Sequence, residues 1–169
     1  MNPEGSDSFD VARELLDILR RPATRYRVCV VETADIRAAA LTANFLSREC
    51  ECTTLDALSP ALVDRVPPHT APMDVIRWLK SSLNKPNPFF LLHVDAILAT
   101  WLNVRYIEVW WEQLALIESS VPLLVATARS DLGRLELQTA TRWKRIDRTL
   151  TLADAEVCLW VPREASLFP

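Results

Sequence analysis

An acid and a hydroxyl follow two apolar runs of the sequence, at the points where buried strands would end. Asp95 comes after the run at residues 89–94, and Thr127 comes after the run at residues 121–126. Neither run alternates with polar residues, which is typical of parallel strands that are covered on both faces. In α/β proteins the functional groups lie at the carboxyl ends of such strands, where an acid can hold magnesium through water. The alternative, which we favour, is that Asp95 caps the next helix and His93 packs as a strand residue.

A phosphate-binding loop is the other part that nucleotide chemistry would need in this kind of fold. Such a loop has backbone positions that only glycine tolerates, and the whole chain contains two glycines. The turn after the first predicted strand, residues 32–39, lacks the glycines, the lysine and the final hydroxyl of that motif. Its acids, Glu32 and Asp35, would repel phosphate. Ala96 stands where an ATPase often has a catalytic acid. Because both the phosphate loop and this acid are missing, we predict that the chain has no ATPase activity and binds no cofactor.

Two features of the sequence are candidates for contact with protein partners. Phe9 and Ala12 precede the first predicted helix, and an aromatic and a small residue at this spacing can fill two neighbouring pockets of a partner. An ordinary helix start, with Phe9 packed on the core, fits the sequence equally well. Trp110 and Trp111 are adjacent in one predicted helix, where successive side chains point about 100° apart. We therefore expect one of them to be exposed or in an interface, unless the helix is buried on most of its surface.

A basic stretch near the carboxyl terminus is the candidate for contact with nucleic acid. Its cations lie before and after one aromatic residue, Trp143. They are Arg129, Arg134, Arg142, Lys144, Arg145 and Arg148. Such a cluster can bind phosphates while the aromatic ring stacks on a base. The alternative, which we favour, is a solvated edge strand with Trp143 in the core.

The composition sets limits on the class of protein. With 169 residues, half of them hydrophobic, the chain is long enough for one domain with a substantial core. A net charge of −3 gives no global attraction to nucleic acid, so such a contact needs a local patch. No apolar run reaches the length of a membrane span and the N-terminus is polar, so we expect a cytosolic or nuclear protein without a membrane partner. In such a reducing compartment the cysteines are expected to be free thiols. Cys50, Cys52, His69 and Cys158 fit no standard zinc spacing, so no metal site is expected.

Strands and helices are predicted to alternate, which indicates a doubly wound α/β domain with a mostly parallel sheet. The central strands are predicted at residues 26–31, 89–94 and 123–126. Further strands are predicted at residues 50–55 and 155–162, and residues 142–152 are basic at first and then strand-like. Helices are predicted within residues 6–21, 38–46, 74–83 and 101–120.

The order of these features resembles a known arrangement. It consists of Phe9–Ala12 before a helix, a strand at residues 26–31 in the position of a phosphate-loop strand, residues 63–68 before the helix at 74–83, and a strand that ends in Asp95. This pattern, which covers most of the chain, resembles the RecA-type ATPase core of accessory paralogues of the eukaryotic recombinase, of the Shu-complex type. A looser resemblance is to small P-loop-like proteins of bacterial phage-defence systems, which usually keep the phosphate loop.

The closer resemblance implies a three-layer RecA-like core over residues 25–169, after a linker and helix over residues 1–24. It implies a non-catalytic adaptor in homologous recombination and DNA repair, located in the nucleus, or in the cytoplasm if the source is bacterial. The implied partners are a second paralogue and the recombinase filament, contacted through Phe9 and Ala12, with single-stranded DNA bound by basic loops within the complex. ATP hydrolysis is not implied, because the phosphate loop is missing, and Asp95 would be a degenerate form of the metal-carrying acid.

Overall fold

Strands and helices alternate along the part of the chain that the structure describes. The computed structural model describes residues 13–15, 17, 28–33, 36–57, 71–101, 103–119, 121–128, 142–146, 150–152 and 155–163. In chain order its elements are β1 (Val28–Thr33), α1 (Ile36–Glu49), β2 (Thr53–Asp56), α2 (Pro72–Ser82), β3 (Phe89–Leu92), α3 (Val94–Leu98), α4 (Val104–Ala115), β4 (Leu123–Ala128), β5 (Trp143–Arg145), β6 (Leu150–Leu152) and β7 (Ala155–Pro162). Residues 13–15 and 17 are also helical.

The strands form one mixed sheet in the order β2-β3-β4-β1-β7-β5, with β6 paired to β7. The first four strands of this order are parallel, whereas β7 runs antiparallel to β1, β5 and β6. Every residue of β1 and β3 is buried, as expected for parallel strands without polar alternation. The prediction of an α/β fold with a mostly parallel sheet is confirmed, and the three strands predicted at its centre are interior strands.

Helices cover both faces of the sheet. Because successive strand residues point to opposite faces, each strand contributes side chains to two separate core clusters. Val28 and Val30 of β1 belong to a core cluster with residues of α2, α3 and α4, including several tryptophans. We call this side of the sheet the tryptophan face. Cys29 and Val31 belong to a second cluster, formed with α1 and with Leu15. We call that side the α1 face.

The helix α4 is more deeply buried than its sequence indicates. Trp110 and Trp111 both have 0 % of their surface exposed, so the expectation that one of them is exposed is wrong. The physical reason is that α4 contacts α2 in addition to the sheet, so that the two adjacent tryptophans each face a packed neighbour. Trp143 of β5 adds a further contact, with its ring edge-on to Trp111 at a centroid distance of 6.2 Å.

Several boundaries differ from the predicted ones. The strand predicted at residues 89–94 ends at Leu92, because His93 adopts a left-handed conformation with φ 60° and ψ 25°. The segment predicted as one helix from residue 101 contains α4 alone, and the short helix α3 precedes it. Predicted features at residues 1–12, 26–27, 58–70 and Asp35 lie outside the described residues.

Candidate functional site

The acid and the hydroxyl singled out in the sequence meet at the carboxyl edge of the parallel strands. Asp95 lies in the first turn of α3, and both of its carboxylate oxygens accept hydrogen bonds from the end of β4. Oδ1 accepts from the Thr127 hydroxyl at 2.6 Å, and Oδ2 accepts from the Ala128 backbone N–H at 2.6 Å. Asp95 therefore links α3 to β4. It does not cap α3 as expected, because the N-cap position is taken by His93.

The backbone at His93 sets this geometry. Its left-handed conformation ends β3 and begins α3 in a single residue. A residue other than glycine costs about 1–2 kcal/mol in this conformation, so the surrounding packing must hold it there. Val94 and Leu98 supply that packing, since both are buried on the tryptophan face. The turn also corrects the expectation that His93 is a packed strand residue, because it is half-buried and lies beyond the strand.

Two opposing effects act on the pKa of Asp95. Burial raises this pKa above the ordinary value, and the hydrogen bonds from Thr127 and Ala128 lower it, with a net rise. Burial acts upward because it penalises the charged carboxylate, whereas the two donors stabilise that same form. Asp95 consequently holds its proton more tightly in the folded chain than in water.

Further polar side chains lie beside this pair on the same edge. Glu32 of β1 is in register with Thr127 of β4 and with Cys158 of β7. Residues in register on neighbouring strands share a face, so all three lie on the tryptophan face. Glu32 is only 4 % exposed, and the next residue, Thr33, is fully buried. An acid at this depth at the end of β1 makes the edge unfavourable for a phosphate.

Three of the four cysteines, Cys29, Cys52 and Cys158, are buried, and Cys50 is half-buried. No disulfide joins them. Burial raises the pKa of Cys29 to about 12, and burial with a smaller contribution from Cys50 raises the pKa of Cys52 to about 12. Within the described ranges, no group of three His, Cys, Asp or Glu side chains is arranged to hold a metal ion. In the same part of the chain, no helix is both long enough and apolar enough to cross a bilayer.

The basic segment forms the edge strand β5. Trp143 is 1 % exposed and donates its indole N–H to the backbone carbonyl of Trp111 at 3.0 Å, so it cannot stack on a base. Arg142, Lys144 and Arg145 are exposed. The favoured alternative, an edge strand with Trp143 in the core, is therefore confirmed. Three of the predicted cations lie outside the described residues: Arg129, Arg134 and Arg148.

Arg163 is an exposed cation at this edge that the sequence analysis missed. Its backbone N–H donates to the carbonyl of Arg142 at 2.7 Å, and its side-chain Nε donates to the carbonyl of Trp143 at 3.1 Å. Arg145, in contrast, places Nη2 at 3.3 Å from the sulfur of Cys158. The signal that would have found Arg163 is the pairing of the last predicted strand with the basic segment.

The candidate partner-binding residues do not form one surface in the described part of the chain. Phe9 and Ala12 lie outside the described residues. Trp110 and Trp111 are buried and are not accessible to a partner in this conformation. The large hydrophobic residues that are exposed within the described ranges are Leu41, Val104 and Tyr106.

The geometry defines the class of this protein as an α/β domain with a mixed, mostly parallel sheet. Its carboxyl edge carries an acid that bonds to the neighbouring strand, and its antiparallel edge carries exposed cations. Comparisons with protein-family models, with curated proteins and with solved structures gave no match for this chain. The functional interpretation therefore rests on the residues and on their arrangement.

Proposed function

We propose that this chain is a non-catalytic adaptor of the recombinase-paralogue type, which binds a partner paralogue and the recombinase–DNA filament during homologous recombination and DNA repair. The observation that carries the proposal is the state of the carboxyl edge, where a RecA-type ATPase would bind nucleotide and metal. There the carboxylate of Asp95 is engaged by Thr127 and Ala128, and Glu32 is buried beside them. A mostly parallel α/β sheet is combined with a carboxyl edge whose acids disfavour nucleotide.

The strand order supports the RecA-like part of this proposal. β4 lies between β1 and β3, and in RecA-type cores one strand likewise separates the phosphate-loop strand from the strand that precedes the metal-carrying acid. Under the proposal, β1 and β3, which precedes Asp95, would take those positions. The turn that begins after β1 has no glycine. An intact frame without a phosphate loop favours a binding role over hydrolysis.

Asp95 is poorly suited to carry magnesium, which is what the competing enzyme hypothesis requires. In that hypothesis a partner supplies the phosphate loop and Asp95 supplies the metal ligand. Magnesium demands near-ideal geometry around carboxylate oxygens and waters, and it would have to compete with the two donors that lie 2.6 Å from the Asp95 oxygens. The raised pKa of Asp95 also makes its negative charge less favourable. Both effects support a structural role for this acid.

The experiment that tests the adaptor proposal replaces Phe9 with glutamate. A phenylalanine buried in a partner's pocket contributes about 2 kcal/mol, which corresponds to more than a tenfold change in affinity. Phe9→Glu should therefore abolish binding to the purified recombinase, measured by pull-down and by calorimetry, while circular dichroism shows an unchanged fold. Ser8→Glu is the matched control, because it adds the same charge to the neighbouring position and should leave binding intact.

Two outcomes would contradict the role of Phe9. If Phe9→Glu unfolds the domain, Phe9 belongs to the core and cannot occupy a partner's pocket. If the fold survives and the affinity for the recombinase is unchanged, the segment does not contact the recombinase, and the adaptor proposal loses its contact site.

A further inference from the structure

Four of the six tryptophans form an unbroken series of ring contacts in the core of the tryptophan face. The ring centroids of Trp101 and Trp110 are 6.2 Å apart, and so are those of Trp110 and Trp111. The ring of Trp143 lies 6.2 Å from that of Trp111. We call these four residues the tryptophan series. It leads from the residues before α4, through the middle of that helix, to the strand β5.

The contacts within the series are close enough for electrons to pass from ring to ring. Aromatic rings whose centroids are about 4.5–7 Å apart pack directly against each other, and electronic coupling between rings falls steeply once they separate. Indole is also one of the most easily oxidised side chains. At the β5 end a hydrogen bond adds a second connection, because the Trp143 indole N–H donates to the Trp111 carbonyl at 3.0 Å. An electron removed from Trp143 can therefore be replaced from Trp111.

The buried indole N–H groups decide where such an oxidation comes to rest. Removing one electron from an indole gives a radical cation, which is a strong acid and loses its N–H proton to any base or water within reach. Among the described residues, the indole nitrogens of Trp110 and Trp111 are buried and have no hydrogen-bond acceptor. Unpaired buried donors are rare and call for an explanation, of which a redox role is one. Without an acceptor for the proton, the radical cation at these rings stays charged and able to move on.

The two ends of the series differ in their access to water. Trp143 is 1 % exposed, and its N–H is bonded to a backbone carbonyl, which is too weak a base to take the proton. Trp101 is 8 % exposed, so water reaches this residue. Loss of the proton traps the oxidation as a neutral radical, because the electron deficit cannot move back unless a proton returns with it. The exposed end is therefore the end point, whichever ring loses the first electron.

We propose that the tryptophan series carries one-electron oxidation from β5 to Trp101. A one-electron oxidant beside β5 takes an electron from Trp143 and is reduced. Electrons then pass towards β5 along the series, so that the electron deficit moves to Trp101. There the N–H bond breaks, the proton goes to water and a neutral indolyl radical remains, which a soluble donor of one electron and one proton, such as ascorbate, restores to indole. The inference goes beyond the proposed adaptor function and does not depend on it.

The test places a photo-oxidant beside the β5 end of the series. Lys144 is exposed and adjacent to Trp143, so the substitution Lys144→Cys gives an attachment point for a ruthenium polypyridyl complex. Cys50→Ser in the same chain removes the half-buried thiol, and mass spectrometry checks that one label is attached. A laser flash with a soluble electron acceptor turns the label into a one-electron oxidant. Transient absorption should then show the neutral tryptophan radical, whose spectrum differs from that of the radical cation.

Phenylalanine substitutions test the members of the series, since phenylalanine keeps an aromatic ring but is much harder to oxidise. Trp101→Phe should abolish the neutral radical and leave a radical cation. Trp111→Phe should also abolish the neutral radical, because it separates Trp143 from the other rings. Trp160→Phe is the matched control and should leave the yield unchanged, because Trp160 is equally exposed, at 8 %, and belongs to the same core cluster without being part of the series. Thermal unfolding checks the fold of each variant, and Trp101→Phe retains a clear result if Trp111→Phe does not fold.

Three results would overturn the proposal. One is the absence of a neutral tryptophan radical after the flash in the labelled chain that keeps all six tryptophans. Another is an unchanged yield of that radical in Trp101→Phe, which would mean that the proton leaves from a different residue. The third is an equal loss of yield in Trp160→Phe and Trp101→Phe, which would mean that oxidation does not follow the ring contacts. The recombinase is absent from this assay, so failure of the Phe9 contact leaves the result unaffected.

Discussion

The bond between Thr127 and Asp95 is open to a quantitative test by the substitution Thr127→Val. Valine has nearly the shape of threonine but lacks the hydroxyl that donates to Asp95 Oδ1 at 2.6 Å. Thr127 is fully buried and Asp95 is half-buried, so water can replace the lost donor only in part. A hydrogen bond to a charged group is worth about 1.5–3 kcal/mol. We expect Thr127→Val to lower the free energy of unfolding by that amount near neutral pH, measured by urea denaturation.

The loss should depend on pH, because the pKa of Asp95 is raised in the folded chain. In the window from the ordinary value, about 3.9, up to the raised value, the folded chain binds more protons than the unfolded chain. Stability therefore falls as pH rises through that window. The Thr127 hydroxyl favours the charged form, so its removal raises the pKa of Asp95 further and enlarges the fall. The cost of Thr127→Val should thus be smaller below the ordinary pKa than near neutral pH.

Two control variants isolate this effect. Thr42→Val removes another buried hydroxyl, one that donates to the backbone carbonyl of Ala38 at 3.2 Å, and its cost should not change with pH. In an Asp95→Asn background the partner is neutral, so Thr127→Val should cost about 0.5–1.5 kcal/mol at both pH values. An equal loss at acidic and neutral pH in the wild-type background would refute the reasoning, because it would mean that Thr127 does not stabilise an ionised Asp95.

Two further predictions concern nucleotide binding and thiol chemistry. Calorimetry of the isolated chain with ATP and magnesium should show no binding, because residues 32–39 contain no glycine and Glu32 is buried at the end of β1; micromolar affinity that requires magnesium would contradict the non-catalytic proposal. Cys29 and Cys52, whose pKa values are raised to about 12 by burial, should resist a thiol reagent at mildly alkaline pH. Half-buried Cys50 should react before them. All cysteines should react in urea, and rapid labelling of Cys29 in the folded chain would contradict its burial.

The parallel half of the sheet can be predicted from the sequence because its signal is local. The mostly apolar runs at residues 26–31, 89–94 and 123–126, which contain only Arg27 and His93 as polar residues, predict strands that are covered on both faces. The corresponding β1, β3 and β4 are interior strands. The last strand is predicted with the same bounds that the structure has, Ala155–Pro162. In these segments a run of consecutive apolar residues is sufficient, since burial on both faces favours apolar side chains at successive positions.

The candidate sites depend on contacts between distant parts of the chain, which periodicity does not reveal. Asp95 is recognisable as an acid after a strand, but its partners are more than thirty residues away, at Thr127 and Ala128. Trp110 and Trp111 are buried where α4 packs against α2 and Trp143, so the helix sequence alone does not show that neither tryptophan lies on the exposed side of α4. The partners of Asp95 and the burial of the two tryptophans both depend on which elements lie next to each other. The residue pattern of a single element does not contain that information.

The two edges of the sheet use their charged groups in different ways, and this difference supports an adaptor over an ATPase. At the carboxyl edge, the oxygens of Asp95 are engaged by β4 and Glu32 is buried, so these acids hold the fold and disfavour an incoming phosphate. At the antiparallel edge, Lys144 is exposed and the side chain of Arg163 donates a hydrogen bond to the carbonyl of Trp143. A phosphate loop binds through backbone amides, which requires glycine, whereas side-chain cations need no special backbone. The glycine-free turn at residues 32–39 and the engaged oxygens of Asp95 are the observations that argue against nucleotide hydrolysis at the carboxyl edge, and calorimetry with ATP and magnesium tests that argument.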